Sequence, residues 1–231
     1  MKAICVFSGS SLGRQAAYSN AAKSLGIALA ERNIRMIYGG GNVGLMGICA
    51  TACLAAGGWV TGFIPKLVAD SIPALPQSDR SVVTYVENLR ERKKLMTVWS
   101  DAFIALPGGI GTMDELFEVL VENQLGVHAK PVGLLSTQDY FDPLLGFLKH
   151  CVAEKFLRPE HYEMLCVERM HPEMLVDQLM SWKVPAAVAK WVDEAPSGIG
   201  KRSDKKHRTQ KTQSPVVESC VGGAPSAVRK T

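Results

Sequence analysis

Residues 101–118 read Asp-Ala-Phe-Ile-Ala-Leu-Pro-Gly-Gly-Ile-Gly-Thr-Met-Asp-Glu-Leu-Phe-Glu, and this stretch constrains the fold more than any other. An apolar run of five ends at Pro107, three glycines and a threonine follow, and a carboxylate-bearing helical pattern starts at once. The order predicts a strand, a phosphate-sized turn and a helix start. Glycines let backbone amides approach a ligand closely, and the unpaired amides of a helix N-terminus, with its partial positive charge, suit an anion. An anion site is therefore expected here, with Asp114 and Glu115 directly behind it.

The rest of the chain repeats the same alternation. Residues 2–8 read as a buried strand ending in the polar turn Ser8-Gly9-Ser10-Ser11, and ligands of open α/β sheets gather at such carboxyl ends. An amphipathic helix is predicted over 15–31, a strand over 35–38, and a helix over 43–56 with almost no polar side chain. A helix apolar all round is buried on all sides, so the sheet and its neighbours cover it or a second subunit does. Strands at 59–64 and 82–86 flank a proline-rich irregular excursion over 65–81. A helix starting at Glu87 and running to Ser100 opens with charged residues. Beyond the central stretch come a strand at 131–135, a helix at 141–156, a strand at 164–167, and a helix at 172–182 whose proline stands at its start. Strands separated throughout by helical patterns predict a parallel sheet with helices on both faces.

Composition separates a folded part from a tail. Nine Lys or Arg and four acids lie from Pro185 onward, leaving 17 basic and 18 acidic residues of the 26 and 22 in the whole chain to residues 1–184. The basic balance belongs to the tail, so a nucleic-acid partner is not expected for the folded part. From Ala195 the chain is Gly, Ser, Pro, Lys and Thr with few large apolar groups, too few to offset the entropy of ordering it. The expected organisation is one domain over 1–184 and a disordered tail over 185–231. The N-terminal apolar run is too short for a signal-peptide core, and no uninterrupted run of about 18 apolar residues offers a membrane span. Six cysteines, mostly inside apolar segments, fit buried reduced thiols in a cytoplasmic protein. Cys49 and Cys53 share a helical face but have no His or further Cys nearby in sequence, so core packing is expected of them and no metal.

Two glycine clusters compete for a ligand. Gly39, Gly41 and Gly44 match the dinucleotide fingerprint, but the acid that would hold a ribose about 20 residues on is missing, since no Asp or Glu occurs between Glu31 and Asp70. A mononucleotide or phosphate at Gly40 and Gly41 remains open, beside the reading that these glycines serve only a tight turn. No P-loop motif occurs. At the second cluster Thr112-Met-Asp-Glu115 also fits a capping box, in which Glu115 would reach back to the Thr112 amide. Against that reading, Glu118 and Glu122 continue the acidic stripe, and like charges at such spacing oppose one another. A cation or a polar ligand is expected to face them. Arg90, Arg92, Lys93 and Lys94 are nearest in sequence, with a solvated helix face as the other reading of that run.

Taken together, Gly39-Gly-Gly-x-x-Gly-Leu-Met-Gly47, Glu91-Arg-Lys93, Ser100-Asp-Ala-Phe-Ile-Ala-Leu-Pro-Gly-Gly-x-Gly-Thr-x-x-Glu115, and Gln124-Leu-Gly126 followed by Lys130-Pro-Val-Gly133 carry a resemblance. From about residue 2 to 182 the chain resembles the LOG (LONELY GUY) family of cytokinin riboside 5'-monophosphate phosphoribohydrolases, many of them once labelled lysine decarboxylases. The resemblance implies a Rossmann-like fold, a homodimer or larger homo-oligomer with the active site near the subunit interface, and a nucleoside 5'-monophosphate substrate cleaved to free base and ribose 5-phosphate. It places catalysis on Arg92 and Glu115. Substrate binding falls on Arg92, Lys93, Gly109, Ile110, Gly111, Thr112, Met113, Asp114 and Glu115, to which the two other loops add Gly40, Gly41 and Ser10. It implies no cofactor, and no lysine is marked as a carrier of pyridoxal phosphate. Leu89-Arg90 and Ile110 depart from the family's usual residues and reshape the base pocket, leaving the choice between a cytokinin nucleotide and AMP open. A nucleotide-binding or carrier protein of the same fold is the other reading, because fold does not fix function.

Overall fold

Seven short strands line up in parallel in the computed structural model, which describes residues 1–183. The expectation of a disordered tail concerns 185–231 and lies outside the described residues. The strands are β1 (Ala3–Phe7), β2 (Arg35–Tyr38), β3 (Val60–Pro65), β4 (Ser81–Val86), β5 (Ala102–Ala105), β6 (Val132–Leu135) and β7 (Leu165–Glu168). They pair in the order β4-β3-β2-β1-β5-β6-β7. Strands covered on both faces need apolar side chains on both, which is why β1, β3, β5 and β6 read as continuous apolar runs instead of alternating.

Helices fill both faces. α1 (Ala16–Glu31), α2 (Gly44–Ala55) and α8 (Pro172–Met180) share one apolar core with the sheet, through Leu25, Leu29, Leu45, Cys49, Leu175 and Val176. On the other face lie α4 (Leu89–Val98), α5 (Ile110–Gln124) and α6 (Asp142–Ala153), with Met96, Leu116, Val119 and Leu145 packed on Phe103 and Phe63. Three short elements were not expected: α3 (Lys66–Ala69), α7 (Pro159–Glu163) and a 3-10 turn at Thr137–Asp139. The proline-rich excursion is thus partly helical, and Gly41 bridges to Ala74 across it.

The apolar α2 is covered mostly from within the chain. A β-carbon on Gly26 of α1 would stand 2.2 Å from the Cys49 carbonyl oxygen, so only glycine lets the two helices approach this closely. Cys49 and Cys53 are fully buried free thiols in that seam, and burial raises the pKa of both. Among the described residues no helix is long and apolar enough to cross a membrane.

β1 lies at the centre, and the chain leaves it on one side for β2 and reaches β5 on the other. Open α/β sheets bind ligands at such a switch point, outside the carboxyl ends of the strands. Here the turns after β1, β2 and β5 are laced together. The Gly9 amide donates to the Pro107 carbonyl at 3.0 Å, and the Leu45 amide donates to the Gly9 carbonyl at 3.0 Å.

Candidate active site at the strand carboxyl ends

The turn after β5 is set by a close contact of backbone with side chain. A β-carbon on Gly108 would stand 2.0 Å from Thr112 Oγ1 and 2.8 Å from the Gly9 amide nitrogen, so the position accepts only glycine. With that approach made, α5 begins with Gly109 as its N-cap, and no side chain caps it. The amides of Ile110, Gly111 and Thr112 therefore have no intrahelical acceptor at an exposed mouth, which is the geometry that receives an anion.

This start corrects the capping-box alternative. Thr112 is the third residue of α5, not its cap, and it is buried. Glu115 turns toward α4 and forms an ion pair with Arg92. The local capping pattern appears on α4 itself, where Asn88 Oδ1 accepts from the Glu91 amide at 3.0 Å and Glu91 Oε2 accepts from the Glu87 amide at 2.7 Å. That double cap fixes the first turn of the helix carrying Arg92 and Lys93.

The two helices are matched in charge. Arg92 holds Glu115, while Lys93 reaches Asp114 at 3.0 Å and also pairs with Glu118. The cations expected to face the acidic stripe are thus Arg92 and Lys93; Arg90 and Lys94 lie exposed. Glu115 is only 7 % exposed, and Arg92 is largely buried, which lowers its pKa from the ordinary value. Burial also acts to lower the pKa of Lys93, but hydrogen bonds to Glu118 and Asp114 outweigh it and raise the pKa overall. Glu122, further along the stripe, faces His128 at 3.4 Å.

Of the other expected site residues, some line the mouth and some support it. Gly109, Gly111, Asp114 and Ile110 are exposed, Ile110 by 90 %. Met113 instead packs against the core beneath α5. Ser10 is exposed, and its carbonyl presses on Gly44, where φ is +56° and a β-carbon would stand 2.5 Å from that oxygen. Gly40 is buried against Ile64, and Gly41 against Ile72 and Met46. The glycine that meets the ion pair is Gly39: a β-carbon there would stand 3.7 Å from Arg92 Cζ and Nη1, and 3.5 Å from Met46 Sδ. Gly39 and Met46 both stand inside the Gly39–Gly47 motif, so the signal was present in the sequence, but not the information about which residue faces the arginine. Tyr140, whose hydroxyl donates to the Gly108 carbonyl at 2.6 Å, carried no sequence signal at all.

Such an arrangement joins an uncapped helix start to a buried carboxylate three residues further on. Helix rise sets Thr112 and Glu115 roughly 4.5 Å apart along the axis, close enough for one small molecule to meet both. Arg92 Nε is buried with no hydrogen-bond partner among the described residues.

The sequence model of the family described as "Possible lysine decarboxylase" matches residues 46–179. The chain is 41 % identical over 182 residues to the cytokinin riboside 5'-monophosphate phosphoribohydrolase LOG5 of Arabidopsis thaliana, covering 79 % of this chain and 78 % of that one. It is 46 % identical over 158 residues to Arabidopsis LOG1, covering 68 % and 73 %, and 43 % identical over 161 residues to the cytokinin riboside 5'-monophosphate phosphoribohydrolase of Rhodococcoides fascians, covering 68 % and 79 %. Among solved structures, the molybdenum cofactor carrier protein of Chlamydomonas reinhardtii superposes with a TM-score of 0.58 at 21 % identity, covering 78 % of this chain and 99 % of the other. That likeness is one of fold.

Proposed function

The chain belongs to the LOG family, and from that premise we propose that it is a phosphoribohydrolase that cleaves the N-glycosidic bond of cytokinin riboside 5'-monophosphates. AMP, which has the same ribosyl phosphate and glycosidic nitrogen, is a further candidate substrate. Water adds to C1' of the ribose, the C1'–N bond breaks, its electron pair leaves with the base, whose nitrogen ends with the proton that the water gives up, and ribose 5-phosphate remains.

The observation that carries this reading is the buried Arg92–Glu115 pair beside the uncapped start of α5. A 5'-phosphate on the amides of Ile110 to Thr112 anchors the sugar. Its binding energy then serves to position C1' against Glu115. The carboxylate stabilises positive charge developing on the sugar and takes a proton from the attacking water, as carboxylates do in other glycoside cleavage. Arg92 fixes the orientation of Glu115 and adds positive charge beside the bound nucleotide. Lys93 holds Asp114 and Glu118 and offsets their negative charge near the phosphate mouth.

Exposed apolar residues on α5, α6 and the segments after them, including Val121, Leu125, Phe147 and Phe156, support assembly as a homo-oligomer. The free thiols support a cytoplasmic setting.

Incubation of the purified chain with isopentenyladenosine monophosphate and, separately, with AMP should release free base from at least the first. Tight nucleotide binding without base from either would sink the enzyme reading and leave a nucleotide-binding protein.

A further inference from the structure

A peptide group has two polar ends that point in opposite directions. In a trans peptide the carbonyl of one residue and the amide N–H of the next are antiparallel, so fixing one end aims the other. The Gly108–Gly109 peptide is trans, and its carbonyl accepts from the Tyr140 hydroxyl at 2.6 Å. Its N–H therefore points away from Tyr140. We propose that Tyr140 is a positioning residue that locks this peptide with the Gly109 N–H turned toward the anion mouth of α5. The proposal rests on the phosphate site described above.

A lock is needed because both residues are glycines. Rotating the peptide plane changes ψ of Gly108 and φ of Gly109, and glycine accepts nearly any value of either. Gly108 Cα is itself pinned by Thr112 and Gly9, but nothing stands within 4 Å of a β-carbon built on Gly109, so packing on that side does not resist a flip. A flipped plane would present the Gly108 carbonyl oxygen where an anion should bind. The Tyr140 hydroxyl is the one hydrogen-bond donor found on that carbonyl among the described residues.

Tyr140 is placed with some strain. The two residues before it, Gln138 and Asp139, adopt left-handed φ of 54° and 56° without being glycine, a conformation that costs free energy and persists only where surroundings impose it. Arg169, following β7, holds the turn from outside by reaching Asp139 at 2.8 Å and Asp142 at 2.9 Å. From within, the ring packs edge-on against Tyr18 at 5.9 Å and against the buried Phe141 at 5.2 Å. A tyrosine that only covered surface would need none of this, since its ring could pack without delivering the hydroxyl to one carbonyl.

The test uses the full chain and the Tyr140→Phe variant, which removes the hydroxyl alone. Calorimetry with ribose 5-phosphate should show Kd raised about five- to tenfold, the worth of one oriented hydrogen bond. KM for the nucleoside 5'-monophosphate should rise in parallel, with kcat within about twofold because Glu115 is untouched. An unchanged Kd, or a kcat loss at constant KM, overturns the proposal. Arg169→Gln, at an exposed site, should raise the Kd in the same direction by a smaller factor; should Tyr140→Phe fail to fold, an unchanged Kd in Arg169→Gln overturns the proposal instead. Absence of base release by the wild-type chain with ribose 5-phosphate binding intact would refute the reaction and not the lock, because the binding readout does not depend on turnover.

Discussion

Lys93 Nζ lies 3.0 Å from Asp114 Oδ2, one residue along α4 from Arg92 and one residue along α5 from Glu115. Consecutive cations on one helix thus meet consecutive acids on the other. Successive side chains on a helix diverge by about 100°, so the match requires the two helices to face each other edge to edge at this point. The inner pair, Arg92 and Glu115, is the shielded one, and Lys93 and Asp114 form its rim, with Asp114 exposed. Shielding separates what the two pairs contribute.

Removing one partner of the inner pair leaves a buried charge without its counter-ion. Glu115→Gln is expected to lower kcat by about a hundredfold or more while the chain still folds. Stability should fall by about 1–3 kcal/mol, because Arg92 loses its charge partner but keeps an amide oxygen. The double change Arg92→Met with Glu115→Leu should recover most of that stability and none of the activity. Thermal unfolding and base-release assays on the three variants check this. Turnover surviving in Glu115→Gln would mean the carboxylate serves structure alone.

Neighbouring glycines in the turn should respond in opposite ways to the same substitution. Gly108→Ala forces a β-carbon onto Thr112 Oγ1 and the Gly9 backbone, and should cost about 1–3 kcal/mol. Gly109→Ala meets nothing, at φ −92°, and should leave stability within about 0.5 kcal/mol of wild type. Its methyl group stands at the ligand mouth, so KM for the nucleotide should rise. Denaturant midpoints together with KM for both variants decide it; equal destabilisation of the two would contradict the packing described here.

His128 gives a pH signature away from the mouth. Burial, and then the charge of Lys130, push its pKa down to about 4 from 6.5. Nδ1 accepts from the Lys130 amide at 3.3 Å, so the neutral ring carries its proton on Nε2, facing Glu122. A histidine held neutral is protonated more readily in the unfolded chain. Its contribution is therefore complete above pH 6.5 and is lost as pH falls from 6.5 toward 4. Glu122 opposes part of this: burial and Glu118 raise its pKa, so the folded chain binds that proton more readily. The net loss should be about 1–2 kcal/mol, and His128→Gln should flatten the slope of stability against pH over that interval. An identical slope in the variant would rule out His128 as its origin.

Much of the fold was legible because parallel strands buried on both faces and amphipathic helices write their periods into the sequence. β2 falls on the expected 35–38, and α1 and α2 within a residue of the expected limits. The short elements escaped. α3, α7 and the 3-10 turn are too brief to carry a period, and tertiary contacts hold them, as Arg169 holds the turn before Tyr140.

At the site, residue types were readable, and the partners only as a choice among candidates. Thr112-x-x-Glu115 satisfies a capping pattern, and nothing local says that α5 starts three residues earlier. The start depends on Gly108 packing against Thr112 and on Gly9 donating to Pro107, a contact across almost a hundred residues. Likewise Gly39, Gly40 and Gly41 are equivalent in sequence, yet only the first lies against Arg92.

The sequence by itself determined the class of fold, the glycine-rich turn after β5 that leads straight into a helix, and the family to which the chain belongs, because each is encoded in short-range patterns of residue type. The family resemblance brought Arg92 and Glu115 together as candidates; tertiary structure decided that Glu115 answers Arg92 rather than its own helix end, and that Tyr140 holds the Gly108 carbonyl. Those pairings join segments distant along the chain. They follow from how the strands order themselves in the sheet, which no local pattern records.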